Sequence, residues 1–480
     1  MPVTADPVSE DKKPESVSAE PLRRALDEAK REAQSSGTFS RLRGLIWTQW
    51  LWLLIQAAEL TWKQWLGLIA LLTAAFILWL FRPIEKEPEY GLDHEFAIAS
   101  DEFLPSISGA TDTPFLPGNR IDILNNGDQF YPAMLTAISQ AQQSITIEAY
   151  IYWAGEIGRR FAEALAAKAR AGLPVRILLD AVGSATISDE ILSTLRAGGC
   201  QVAWYHPIRW YTLKRTNNRT HRKSLIVDGR IGFTGGAGIA DQWLGHAQDP
   251  EHWRDIQIRI EGPAVTPLQS AFARNWLETT GEMISGPRYY PQPEPAGTLA
   301  VQSILSSPET GSSTVRTMYY LSIVCARRSI FIANPYFVPD ENAIRILVAA
   351  RKRGVDVKIM VSGRYNDNWL ARHNSTRLYR RLLEAGVEIY EYNRTMLHQK
   401  YMVCDGLWST VGTTNFDNRS FALNDENNVC VYDRAFAAQW EEIFRQDLIA
   451  AARVTFEDWQ SRGLLRKLSE LIAALLQDQV

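Results

Sequence analysis

Two short stretches of the chain carry the same polar pattern: His221-Arg-Lys223-Ser-Leu-Ile-Val-Asp228 and His398-Gln-Lys400-Tyr-Met-Val-Cys-Asp405. Both read H-x-K-x4-D, and in both a glycine follows at the same offset, Gly235 and Gly412. One such stretch alone would suit a structural histidine beside a surface lysine; two at matching places do not. A histidine and a lysine two apart on a strand project to the same face, so they can meet one substrate group together. The aspartate ends each strand at a turn, Asp228-Gly229 and Asp405-Gly406, where its carboxylate is expected to hold an imidazole and fix the tautomer. Two histidines and two lysines are what phosphodiester exchange requires. A neutral imidazole attacks phosphorus while a protonated one donates to the leaving oxygen. The ammonium groups neutralise the non-bridging oxygens as charge builds. This chemistry calls for no cofactor and no metal, and the sequence shows no metal-ligand spacing.

The elements around these residues repeat as well. Ser144-Ile-Thr-Ile-Glu-Ala-Tyr150 matches Ser329-Ile-Phe-Ile-Ala-Asn-Pro-Tyr336, and each follows a helical stretch, 132–143 and 314–328. Ala171-Gly-Leu-Pro-Val-Arg-Ile-Leu-Leu179 matches Arg353-Gly-Val-Asp-Val-Lys-Ile-Met-Val361. A further helix–glycine–strand unit follows in each copy, led by Gly199 and Gly386. Strands alternating with helices imply α/β layers. The copies run over 119–286 and 299–460, separated by the Pro-rich linker Gly286–Gly297. Two long copies suit two pseudo-symmetric domains facing each other rather than a solenoid.

Composition agrees with a folded globular chain. Of 480 residues, 46% are hydrophobic and 22% charged, and the net charge is −3. That excludes a mainly disordered chain and one that coats nucleic acid by bulk positive charge. Cys200, Cys325, Cys404 and Cys430 form no C-x-x-C pair and read as buried free thiols. Residues 1–43 are polar and read as a mostly disordered tail. Gly44–Ala58 then carries no charge, and after Glu59 and Lys63 neither does Trp65–Phe81. The second run spans roughly 26 Å as a helix, just enough for a bilayer core. Tryptophans near the ends of the runs resemble interfacial belts. Residues 44–81 are therefore read as a membrane hairpin of two short spans, or as one interfacial helix plus one span. Arg41, Arg43, Arg82 and Lys86 flank the runs, and Lys63 lies between them. The positive-inside rule favours the hairpin, with both ends cytoplasmic. Residues 82–118 read as a connector. Residues 461–480 read as an amphipathic helix with Leu464, Leu468, Leu471, Ile472 and Leu475 on one face.

With these motifs in view, the chain resembles the phospholipase D superfamily and, within it, the bacterial cardiolipin synthases. The doubled H-x-K-x4-D defines the superfamily. The closer likeness rests on Asn334-Pro-Tyr-Phe-Val-Pro339, Gly412-Thr-Thr-Asn-Phe-Asp-Asn-Arg-Ser-Phe421, Leu423-Asn-Asp-Glu-Asn427, Trp253-Arg-Asp255 and the paired apolar runs. The resemblance implies two phospholipase D-like domains sharing one active site, preceded by N-terminal transmembrane helices. It implies that His221 is the nucleophile, giving a phosphatidyl-histidine, and His398 the general acid and then base; the sequence alone does not distinguish the two. Lys223 and Lys400 would bind phosphate, Asp228 and Asp405 would orient the histidines, and Asn415 would bind substrate phosphate. The sequence departs from the superfamily pattern at Gly238, which stands where the partner of Asn415 would be. A backbone N–H could replace that side chain, since glycine allows close approach.

Glu148 and Glu426 are further candidates to line the site. The loop 209–222 is basic and aromatic and could gather anionic headgroups. The expected activity is a membrane-bound phosphatidyltransferase, making cardiolipin and glycerol from two phosphatidylglycerol molecules at the inner membrane with its domains on the cytoplasmic side. The bilayer and phospholipid substrates are its expected partners, and nucleic acid is not expected. The rival readings are a phospholipase D-type hydrolase, another phosphatidyltransferase, a nuclease, and a non-catalytic membrane scaffold.

Overall fold

The computed structural model describes residues 23–25, 27, 61–80, 90–207, 217–308, 314–463, 467, 469–470 and 473–474. Two compact units divide at Glu87/Pro88. In the first, helix Trp62–Leu80 exposes Trp62, Leu66, Ile69, Leu71, Leu72 and Phe76. Among the described residues no helix is long and apolar enough to cross a membrane. The first apolar run, Gly44–Ala58, and the apolar face expected in 461–480 lie outside the described residues.

The second unit is built on one mixed sheet of 16 strands. In chain order its first-copy strands are β1 (Leu116–Asn125), β2 (Ile145–Ala149), β3 (Val175–Asp180), β4 (Gln201–Tyr205), β5 (Arg219–Thr220), β6 (Lys223–Val227), β7 (Ile231–Gly235) and β8 (Ile256–Glu261). The second copy supplies β9 (Leu299–Ser306), β10 (Ser329–Ala333), β11 (Phe337–Val338), β12 (Asp356–Ser362), β13 (Glu388–Tyr392), β14 (Tyr401–Cys404), β15 (Trp408–Gly412), β16 (Phe416–Asp417), β17 (Asn424–Tyr432) and β18 (Ala451–Val454). β11 and β16 form a small sheet of their own.

The large sheet runs β4-β3-β2-β6-β7-β8-β1 and then β9-β17-β15-β14-β10-β12-β13-β18, and β5 pairs with β17. Apart from β18 and β5, the order is a palindrome about the β1–β9 junction, so the repeat in the sequence becomes a pseudo-two-fold in space. In each copy three parallel strands (β2-β3-β4; β10-β12-β13) continue into antiparallel ones. The parallel strands need covered faces, and β2 is buried along its whole length. Helices Glu156–Arg170 and Asp189–Ala197 bury Phe161, Leu165, Ile191 and Leu195 against one face, and Val265–Thr280 covers the other. In the second copy Glu341–Lys352 and Arg434–Leu448 do the same with Ile346, Leu347, Trp440 and Phe444. All four cysteines are buried and free.

Part of the expected connector is folded. Phe96, Ile98, Phe103 and Ile107 are buried in the second copy's core beside Val315, Met318 and Ile323, and Ile98 N–H donates to Cys325 O at 3.1 Å. These apolar residues are too few and too irregularly spaced to form a period, which is why the sequence reads as a linker.

Candidate active site

The palindromic sheet determines where the histidines sit. His221 lies just before β6 and His398 just before β14, and each runs alongside backbone of the other copy. His221 N–H donates to Asp425 O at 3.0 Å, and His398 N–H donates to Arg254 O at 2.7 Å. The side chains follow the same exchange. His221 Nδ1 meets Glu426 Oε1 at 2.9 Å, and His398 Nδ1 meets Asp255 Oδ2 at 2.8 Å. Each imidazole is therefore held by a carboxylate from the opposite copy. A carboxylate on Nδ1 makes that nitrogen the donor, so a neutral ring carries its lone pair on Nε2.

The carboxylates are themselves fixed. Thr413 Oγ1 donates to Glu426 Oε2. Trp243 Nε1 and Ile256 N–H donate to Asp255 at 2.8 Å each. Burial acts to raise both acids, but the histidine partners together with Lys400 and the Ile256 N–H for Asp255, and with Lys223 and Thr413 for Glu426, outweigh it and hold both carboxyls below the usual range. Burial likewise pushes His221 and His398 down to about 4; Lys223 and Lys400 add to this, and the carboxylates offset it only in part. The lysines respond in the same way. Burial, and for Lys223 the nearby Lys400, takes Lys223 down to about 7, and burial takes Lys400 to about 8. Each lysine donates to the carbonyl of its own histidine, at 2.8 Å and 2.7 Å. The site thus concentrates buried basic side chains, and a bound anion would raise the proton affinity of all four.

These groups open on a cavity of about 360 Å³ lined by residues of both copies, among them His221, Lys223, His398 and Asn415. Tyr150 and Tyr336, at matching places after β2 and β10, stand edge-on to the histidines. Their centroids lie 5.0 Å from His221 and 6.2 Å from His398. Asn415 Oδ1 is buried without a hydrogen-bond partner among the described residues. No group of three or more His, Cys, Asp or Glu among the described residues could hold a metal ion.

Three expectations change. Asp228 and Asp405 do not orient the imidazoles. A strand rises about 3.3 Å per residue, so each aspartate lies roughly 20 Å from its histidine, at the far end of the strand. There Asp228 accepts from the N–H groups of Gln142, Gln143 and Ser144, and Asp405 from those of Arg327, Arg328 and Ser329. They tie the turns after β6 and β14 to the start of β2 and β10. Glu148 is not on the cavity wall; it is fully buried, accepts from Thr220 and Asn275, and lies 4.0 Å from Arg222. Glu426 is present at the site, but behind His221 rather than lining the cavity. Gly238 has a steric cause: a Cβ there would stand 2.7 Å from Ile151 Cβ. Asp255, Tyr150, Tyr336, Arg219 and Arg419 belong to the site without having been singled out as site residues from the sequence.

Comparison with known proteins identifies the family and the fold. The family model described as "Cardiolipin synthase, PLD-like domain" matches residues 134–276 and 322–448. A cardiolipin synthase of Geobacillus kaustophilus (strain HTA426) is 36% identical over 357 residues, 74% of this chain and 71% of that one. The major cardiolipin synthase ClsA of Bacillus subtilis (strain 168) is 33% identical over 365 residues, covering 75% and 76%. Among solved structures, a phosphatidylserine synthase of Haemophilus influenzae Rd KW20 has the same fold. Its TM-score is 0.63 at 16% identity, over 78% of this chain and 99% of that one.

Proposed function

The chain belongs to the cardiolipin synthase family of phospholipase D-like proteins, and on that premise we propose that it joins two phosphatidylglycerol molecules into cardiolipin and glycerol. It is a phospholipid phosphatidyltransferase. His221 Nε2 attacks the phosphorus of the first lipid. The bond from phosphorus to the glycerol headgroup breaks, His398 gives its proton to the departing oxygen, and a phosphatidyl-histidine remains. The free hydroxyl of a second phosphatidylglycerol then loses its proton to His398 and attacks phosphorus, and the P–N bond breaks. Lys223, Lys400 and Asn415 hold the phosphate oxygens. The observation that carries this reading is the pair of exchanged histidine–carboxylate contacts at one cavity. Burial holds both imidazoles at about 4, so the attacking ring is neutral as it stands, and the phosphodiester anion supplies the counter-charge that favours protonation of the other; which ring takes which role follows the order that the family resemblance implies.

The lipid substrates place the reaction at a membrane. We assign residues 44–81 to the bilayer, as a hairpin or as one interfacial helix plus one span, with 119–286 and 299–460 as the two catalytic domains on the cytoplasmic side of the inner membrane. The exposed apolar side chains of Trp62–Leu80 support the membrane assignment, and the flanking Arg41, Arg43, Arg82 and Lys86 support the orientation.

The test is product analysis with labelled phosphatidylglycerol, beside His221→Ala and His398→Ala. Cardiolipin and glycerol from the wild type, and neither from the variants, is the expected result. Phosphatidic acid without cardiolipin would make water the acceptor and the protein a hydrolase.

A further inference from the structure

Two arginines, Arg219 and Arg419, line the same cavity without belonging to the repeated motif. Arg219 is 3% exposed. Its Nε donates to Asn218 O at 2.9 Å and its Nη2 to His206 O at 2.6 Å, with Asp180 Oδ2 at 3.5 Å from Nε. Its Nη1 is buried with no hydrogen-bond partner among the described residues. A buried guanidinium N–H left unpaired is costly, and the side chain that carries it lines the cavity. Arg419 donates to Asn217 Oδ1 at 2.9 Å and Asn217 O at 3.1 Å, which ties it to the segment leading into Arg219.

Both arginines break the pseudo-symmetry. The place matching Arg219 in the second copy is Met396, and the place matching Arg419 in the first is Gln242. Positive charge is thus added to one flank of a site whose histidines and lysines are otherwise paired. Asp367 and Asp417 also line the cavity, and Asp417 is two residues from Arg419, so the unpaired Nη1 of Arg219 is the donor offered to a second anion. The reacting phosphodiester carries one negative charge and already faces Lys223 and Lys400.

We propose that Arg219, supported by Arg419, binds the phosphodiester of the accepting lipid, so that the site holds two phosphates linked by a single glycerol. This rests on the phosphatidyltransferase reading and makes the acceptor an anionic phospholipid rather than a neutral alcohol. The fork of an arginine suits such a group.

The experiment runs two reactions on the full-length protein in mixed micelles of phosphatidylglycerol with labelled free glycerol. Glycerol exchange into phosphatidylglycerol reforms the bond that the first step breaks and needs one phosphate. Cardiolipin formation needs two. In Arg219→Gln the ratio of cardiolipin formation to exchange falls at least tenfold, with a raised KM for phosphatidylglycerol as acceptor. Arg219→Lys recovers part of the loss, and Arg419→Gln lowers the ratio in the same direction. An equal loss in both reactions, or no loss in either, overturns the proposal. If circular dichroism shows Arg219→Gln unfolded, the ratio in Arg419→Gln decides, since that side chain is only half-buried. A wild type that exchanges glycerol but makes no cardiolipin overturns the cardiolipin reading instead, whatever the variants do.

Discussion

Replacing each of two aspartates by asparagine separates catalysis from architecture. In Asp255→Asn the carboxylate behind His398 is lost. Its charge-assisted hydrogen bond at 2.8 Å is worth about 1.5–3 kcal/mol, and it matters most when the imidazole carries a proton. At about 1.4 kcal/mol per factor of ten, kcat should fall by about 10-fold to 150-fold, and further if the amide reverses the tautomer. In Asp405→Asn the change falls on a carboxylate that accepts three backbone N–H groups, from Arg327, Arg328 and Ser329. Asparagine keeps one acceptor oxygen and tolerates the left-handed backbone, φ 56°. The expected cost is about 1–3 kcal/mol of stability, with kcat of the folded protein within about threefold of wild type. Cardiolipin formation from labelled phosphatidylglycerol, normalised to folded protein, and a thermal melt measure the two effects. A hundredfold loss of kcat in Asp405→Asn at unchanged melting temperature would refute the reasoning, as would an Asp255→Asn enzyme within threefold of wild type.

Other outcomes follow from the same geometry. Gly238→Asn, which restores the side chain matching Asn415, should destabilise the protein by about 1–3 kcal/mol without raising activity, because its Cβ meets Ile151; a faster and equally stable variant would contradict this. His221 and His398 are both held near 4 when folded and return to about 6.5 on unfolding. The unfolded chain therefore binds more protons between those values, and stability is lost as pH falls from about 6.5 to about 4, by up to about 1.4 kcal/mol per pH unit for each histidine. Denaturant melts should show a shallower decline in a His221→Ala/His398→Ala double variant; parallel curves would count against buried neutral imidazoles. Removing residues 1–87, which form a separate compact unit, should release the protein from phosphatidylglycerol vesicles in a flotation assay, and undiminished flotation would move the membrane contact to residues 88–480.

The histidines and lysines were legible because their spacing is local and occurs twice. Their carboxylate partners were not, because Glu426 lies 205 residues from His221, and Asp255 lies 143 residues from His398. No local spacing connects them; only the crossing of the two copies does. The aspartates of H-x-K-x4-D misled for the complementary reason. Closeness in sequence suggested contact, but an extended strand holds its two ends apart. Glu148 shows a similar limit, since a buried acid paired to Arg222 has the same sequence signature as one that faces substrate. The strand–helix alternation gave the layered fold, yet the palindrome depends on β1 and β9 pairing antiparallel, and nothing local in either strand specifies that partner.

On the proposed mechanism, that junction also explains how a duplicated protein can run two unlike steps. An exact pseudo-two-fold would give both histidines the same surroundings and leave nothing to distinguish nucleophile from acid. The exchanged contacts preserve the symmetry where both steps need it, at the imidazole–carboxylate pairs and the two lysines. It is broken around them. Glu426 backs one ring and the shorter Asp255 the other, Asn415 has Gly238 as its counterpart, and Arg219 and Arg419 have Met396 and Gln242 as theirs. A donor phosphate needs the symmetric centre, because charge must be neutralised on both sides as one bond breaks and another forms. An acceptor needs only to be held on one side, with its hydroxyl aimed at the phosphorus. The positions that differ between the copies are therefore where the two lipids can be told apart, and the ratio of cardiolipin formation to glycerol exchange reads that difference directly.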